Sequence, residues 1–107
     1  MDLPEEIELE LDRARTAETE GNHGKARVCA RRAVGRAFML SGYSVGLPAS
    51  ASAVQCLKAV SESDEFSRDA RDAARRLLAG ATENGGSSVS LKPIEDALIV
   101  ITRLLAK

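Results

Sequence analysis

The chain has no tryptophan, one histidine, two cysteines and only three aromatic residues, Phe38, Tyr43 and Phe66. Three scattered aromatics provide no platform on which successive bases of a single strand stack. One histidine and two cysteines do not complete a four-ligand zinc site without carboxylates, so neither a structural metal nor a cofactor is expected. A formal net charge of −1 excludes a strong whole-domain field toward nucleic acid. The longest apolar run, Ala97 to Ile101, falls far short of the roughly 18 residues that read as a spanning helix, so no membrane association is expected. Sustained alternation of apolar and polar residues is missing too, which leaves no candidate strand.

What remains is ordinary for a folded chain. Hydrophobic residues make up 44% and charged residues 29% of 107. That balance is unlike a disordered tail and suits one helical domain spanning residues 1–107. A chain of this size buries roughly 65% of its unfolded surface, enough for one core without staples. The start, Met1-Asp2-Leu3-Pro4-Glu5-Glu6, is acidic and lacks the charged-then-apolar order of a secretory leader. A cytoplasmic location is the expectation, with Cys29 and Cys56 as buried free thiols.

Helical periodicity appears in five places. A first helix is predicted from about Pro4 to Glu20, capped by Asp2, with acids at its positive dipole end. Leu3, Ile7, Leu11, Ala14 and Glu18 share its inner side. Gly21-Asn22-His23-Gly24 breaks the chain, and Asn22 caps a second helix from Gly24 to Ser41. There Ala26, Cys29, Ala30, Ala33, Ala37 and Leu40 fall within about 100° of arc. So small a face lets backbones approach closely and predicts the central helix of a bundle.

Gly42 to Ala51 reads as a connector. A third helix from Ser52 buries Ala53, Cys56, Leu57 and Val60, and Ser61 to Glu65 interrupts it unless third and fourth form one bent element. The fourth turns Phe66, Ala70, Ala73, Leu77 and Ala81 inward and Arg68, Arg71, Asp72, Arg75 and Arg76 outward. Ser90 caps a last helix, Leu91 to Ala106, with Pro93 in its first turn. Its inward stripe is Ile94, Ala97, Leu98, Ile101, Leu104 and Leu105, with Val100 on the flank and Ile99 almost opposite. That surplus of apolar surface predicts a homodimer interface at Leu98, Ile99 and Val100.

Several constellations touch on chemistry. Lys25, Arg27, Arg31, Arg32 and Arg36 line the second helix away from its alanine face, with no acid among them. Arg27, Arg31, Arg32 and Arg36 are therefore the candidates for phosphate or partner binding. Eight acids on or just before the first helix face two arginines, Arg13 and Arg15, so mutual neutralisation is the expected state. A nucleic-acid or nucleotide phosphate site on the basic helix is the alternative. Gly21-Asn22-His23-Gly24 mimics the GXXG loop of KH domains, but that fold needs a sheet. Glu20-Gly21-Asn22-His23 has the Glu-x-x-His spacing of di-iron bundles, but only one copy, at a glycine-broken helix end. Cys29 lies on the apolar face, remote from any general base except His23. No catalytic residue is assigned. An enzyme of another kind would have its cleft at Gly42–Pro48, with Tyr43 or Ser44.

The pattern resembles the HEPN superfamily of small prokaryotic helical bundles. Gly24 to Ala37 looks like its alanine-rich second helix, Ala53 to Leu78 like its long third element, and Ile94 to Ile101 like its closing helix. The resemblance implies an all-α, up-and-down bundle of four or five helices and frequent homodimerisation. It also implies association with nucleotidyltransferase or toxin–antitoxin systems, and thus a protein partner. Ribonuclease members carry Arg-x(4–6)-His near the last helix. Here the sole histidine, His23, follows the first helix, with Arg15 seven intervening residues upstream. The catalytic pair is not carried over, and a non-catalytic binding module is what the resemblance leaves.

Overall fold

The computed structural model describes residues 3–42, 47, 51–79 and 92–106. Among them every regular element is α-helical: α1 (Glu5–Thr19), α2 (His23–Ser41), α3 (Ala53–Glu62), α4 (Arg68–Ala79) and α5 (Pro93–Leu105). The predicted caps Asp2 and Ser90, the inward Ala81, and Tyr43 and Ser44 lie outside the described residues.

Local chemistry accounts for each boundary. Pro4 stands at the N-terminal boundary of α1 with Glu5, Glu6 and Glu8 in the first turn, where acids favour the helix dipole. Its end is a Schellman motif: the Asn22 amide donates to Ala17 O at 2.8 Å and the Gly21 amide to Glu18 O at 3.0 Å. Gly21 takes φ +77, a left-handed conformation that glycine adopts without a Cβ clash. The Asn22 side chain then accepts from the Lys25 amide and starts α2, so two adjacent residues turn the chain back on itself. Ser52 and Gln55 form a reciprocal capping box at α3. Ser67 Oγ accepts from the Ala70 amide at the start of α4. Ser63, extended at φ −97 and ψ 129, separates α3 from α4, so these are two helices.

Four helices form a ring in which α2 packs on α3, α3 on α4, α4 on α5 and α5 on α2; α1 lies against α2 outside it. The alanine face of α2 is in the core as expected, with Ala26, Ala30, Ala33 and Ala37 fully buried. Leu40 departs from that expectation. It is 49% exposed at the helix end, while Val34 and Phe38, further round the helix, are buried. Close approach on the α3 side depends on Gly35, where an added Cβ would stand 3.2 Å from Ala53 Cα and Cβ.

α5 is also turned relative to expectation. Val100 is completely buried, not flanking, and joins Ala97, Ile101 and Leu104 in the core. The cause is a fork of hydrogen bonds. Arg76 donates from Nε to both Asp96 oxygens at 3.1–3.2 Å and from its NH2 group to Oδ1 at 2.8 Å. Asp96 is buried, so the pair draws the Asp96–Val100 flank of α5 against α4. Arg76, expected to point outward, instead lies half-buried over this carboxylate, whose hydrogen bonds raise its pKa against the opposing cost of burial.

Candidate functional site

The four arginines singled out on α2 do not act as one stripe. Arg31 is 9% exposed and donates at 3.1 Å to the Leu77 carbonyl. That carbonyl belongs to the last described turn of α4, so Arg31 ties α2 to the C-terminal part of a neighbouring helix, where the helix dipole favours a cation. Burial first, and then the nearby Arg27 charge, lower the Arg31 pKa from its ordinary value. Arg75 does the same for α3, donating to Ser61 O at 3.0 Å. Arg36 Nε meets Glu10 Oε2 at 3.1 Å. Arg27 is half-buried, and Arg32 is exposed with no ion pair among the described residues. The structure thus places the four differently: Arg31 is buried on a carbonyl, Arg36 is exposed but paired with Glu10, and Arg32 is exposed with no ion pair among the described residues.

Neutralisation by the first helix is narrower than expected. Among the described residues, the acid of α1 that pairs with an arginine of α2 is Glu10, whose side chain is 2% exposed between Arg36 and, at 3.6 Å, Arg13. Glu5, Glu6, Glu8 and Asp12 on this helix are exposed. Glu10, however, follows Ile7 by three residues and precedes Ala14 and Ala17 by four and seven, a spacing that places it on the buried side.

Among the described residues one open depression of about 460 Å³ lies against α3, lined by Leu47, Gln55, Lys58, Ala59, Glu62 and Ser63; two more lie elsewhere on the surface. One lies over the C-terminal half of α2, encloses about 330 Å³, and is lined by Arg32, Gly35, Arg36, Met39 and Leu40, with Glu6 and Ala53 on its borders. The other lies on the outer edge of α5 and encloses about 470 Å³ between Leu98, Ile99, Thr102, Arg103, Ser67 and Asp69. Of the three predicted interface residues, Leu98 is half-buried and Ile99 is 39% exposed. Val100, fully buried, is removed from that surface. No protein-family model, curated protein or solved structure matches the chain.

Neither the α2 depression nor the α5 depression holds a convergent acid–base or nucleophile–base pair among the described residues. His23 stands at the exposed α1–α2 turn, its Nδ1 3.3 Å from Glu18 Oε1. No group of three or more metal-ligating side chains occurs among the described residues. No described helix is long and apolar enough to cross a membrane.

Cys29 and Cys56 are free and buried, at 3% and 0% exposure. Native protein is therefore expected to react with a chromogenic disulfide reagent at least about a hundredfold more slowly than protein in denaturant, because labelling requires opening. Burial pushes the Cys56 thiol above its ordinary 9.0. The raised native value means the fold holds the thiol proton more tightly than the unfolded chain does. The contribution is complete below about pH 9 and declines at higher pH as the unfolded thiol ionises. Urea midpoints should fall above pH 9 in the wild type and fall less in Cys56→Ala. Equal slopes would contradict this.

Proposed function

We propose that this chain is a non-catalytic interaction module, HEPN-like in its up-and-down helical architecture, that works as a homodimer through the outer edge of α5. One observation carries the reading. Leu98 and Ile99 form an apolar strip bordered by an acid, Asp69, and a base, Arg103, and neither is in an ion pair among the described residues. A twofold axis brings identical patches together, so residue i meets j and j meets i. A strip with one charge of each sign at its rim, Arg103 donating only to the Glu65 carbonyl at 3.5 Å, is self-complementary under that operation. Arg103 of each copy faces Asp69 of the other while Ile99 packs across the axis.

The disposition of α2 supports the same reading by weakening its competitor. A phosphate track draws on several free cations in register, and two of the four candidate arginines are engaged within the fold. The HEPN resemblance adds the class of assembly such a module serves, a nucleotidyltransferase or toxin–antitoxin system.

Sedimentation velocity tests the proposal. The wild type is expected to sediment as a dimer at tens of micromolar, and Ile99→Glu as a monomer with unchanged helical circular dichroism. Ile99 is exposed in the single chain, so this substitution places a charge in water unless a second copy covers it. A wild type that is monomeric at every concentration contradicts the proposal.

A further inference from the structure

α2 carries no acidic residue from His23 to Ser41. At about 100° per residue, Lys25, Val28, Arg32, Arg36 and Met39 share one arc of roughly 80°. All five are exposed, Val28 at 38% and Met39 at 40%. From Arg32 onward the arc forms one wall of an open cleft that also takes in Glu6 of α1, Ala53 of α3 and Leu40, and Lys25 and Val28 extend the arc beyond it. Lys25 and Arg32 make no ion pair among the described residues, and Glu10 is shared between Arg36 and Arg13. Even with Glu6 counted, the trough is net positive. It is also apolar at its two ends, at Val28 and, about three helical turns on, at Met39.

We propose that this trough docks an acidic amphipathic helical segment of a protein partner. Such a segment lays its apolar side chains on Val28, Met39 and Leu40 and sets carboxylates against Arg32 and Lys25. This is the helix-in-groove mode, in which apolar anchors recur at helical spacing. Methionine suits the floor because its unbranched side chain adapts to varied shapes. Arg36, held from beneath by Glu10, presents a fixed charge. A nucleic-acid strand fits less well, since phosphates make no use of three exposed aliphatic side chains and no aromatic among the described residues lines the cleft for stacking. The site is remote in chain and chemistry from the α5 edge and stands whether or not the chain dimerises.

The test is an NMR titration of the isotope-labelled full chain with three probes. These are a synthetic amphipathic peptide of about 14 residues with leucine at helical spacing and glutamate elsewhere, the same peptide with lysine for glutamate, and a single-stranded RNA of similar length. The glutamate peptide is expected to shift amides along residues 28–40 and at Ala53. Arg32→Glu is expected to weaken it about tenfold, since the reversed charge opposes the carboxylates. Met39→Ser should also weaken it, while Ile99→Glu binds it as wild type does. Arg32 and Met39 are exposed, so both variants should fold, which circular dichroism verifies. Equal binding of the lysine peptide, tighter binding of RNA, shifts centred on α5, or no shifts at millimolar peptide each overturn the proposal. Self-association abolished by Arg32→Glu would overturn it too, by assigning the trough to a second copy.

Discussion

Gly35→Leu is expected to destabilise the protein by about 3 kcal/mol, the upper end for overpacking a close contact. Gly35 sits mid-helix in α2, where glycine costs about 1 kcal/mol relative to alanine. Its justification is the start of α3, since any Cβ there meets Ala53 Cα and Cβ at 3.2 Å. Backbone is involved, so a side-chain rotation does not relieve the contact. Gly35→Ala sets the propensity gain against a few tenths of an ångström of displacement, and its net effect should stay within about 1 kcal/mol of zero. Leucine keeps the same Cβ contact and adds three further carbons that clear Ala53 only by turning into the depression Gly35 lines, so the crowding pushes α3 away from α2. Urea denaturation of the three proteins checks this. Similar midpoints for the leucine and alanine variants would mean that the helices do not meet here.

Arg76→Ala is expected to cost about 2 kcal/mol, and Asp96→Asn about 1 kcal/mol, because removing the partner of the more buried charge costs more. The Asp96 side chain is 8% exposed and that of Arg76 is 43% exposed. Losing the arginine leaves a buried carboxylate without its guanidinium, whereas losing the carboxylate leaves an arginine already in reach of water. Asp96 also lies in the first turn of α5, where the helix dipole favours a negative charge and moderates the loss. A double-mutant cycle should give a coupling of about 1 kcal/mol or more, as for a directly bonded pair. Additive effects, or a larger loss from Asp96→Asn than from Arg76→Ala, would show that the fork does not hold α5 in its rotation.

The elements were largely legible because their signals are local. Asn22, Ser52 and Pro93 mark helix starts, Gly21 marks a stop, and the alanine period of α2 names its inner face without reference to anything distant. What was not legible depends on partners far along the chain. Arg31 reads as a member of a basic stripe until Leu77 appears beside it, and α5 reads with Val100 on its flank until Arg76 takes hold of Asp96. Arginine has the reach to cap a carbonyl on another helix, so its sequence neighbours say little about where its charge is spent. Glu10 is the exception, an acid at apolar spacing that the helical wheel itself singles out. Among the proposed site residues, Ile99 was found because it lies opposite the inward stripe. Asp69 and Arg103 come from different helices, and only folding brings them to the same rim.

Self-association through the α5 edge is the central claim, and a charge-exchange cycle read by sedimentation equilibrium addresses it most directly. Asp69→Arg and Arg103→Asp, each alone, should weaken the dimer by about tenfold, since each sets like charges across the twofold axis. Combined in one chain they restore both opposed pairs, and the dimer constant should return to within about threefold of wild type. A double variant that associates as weakly as either single one would contradict the interface.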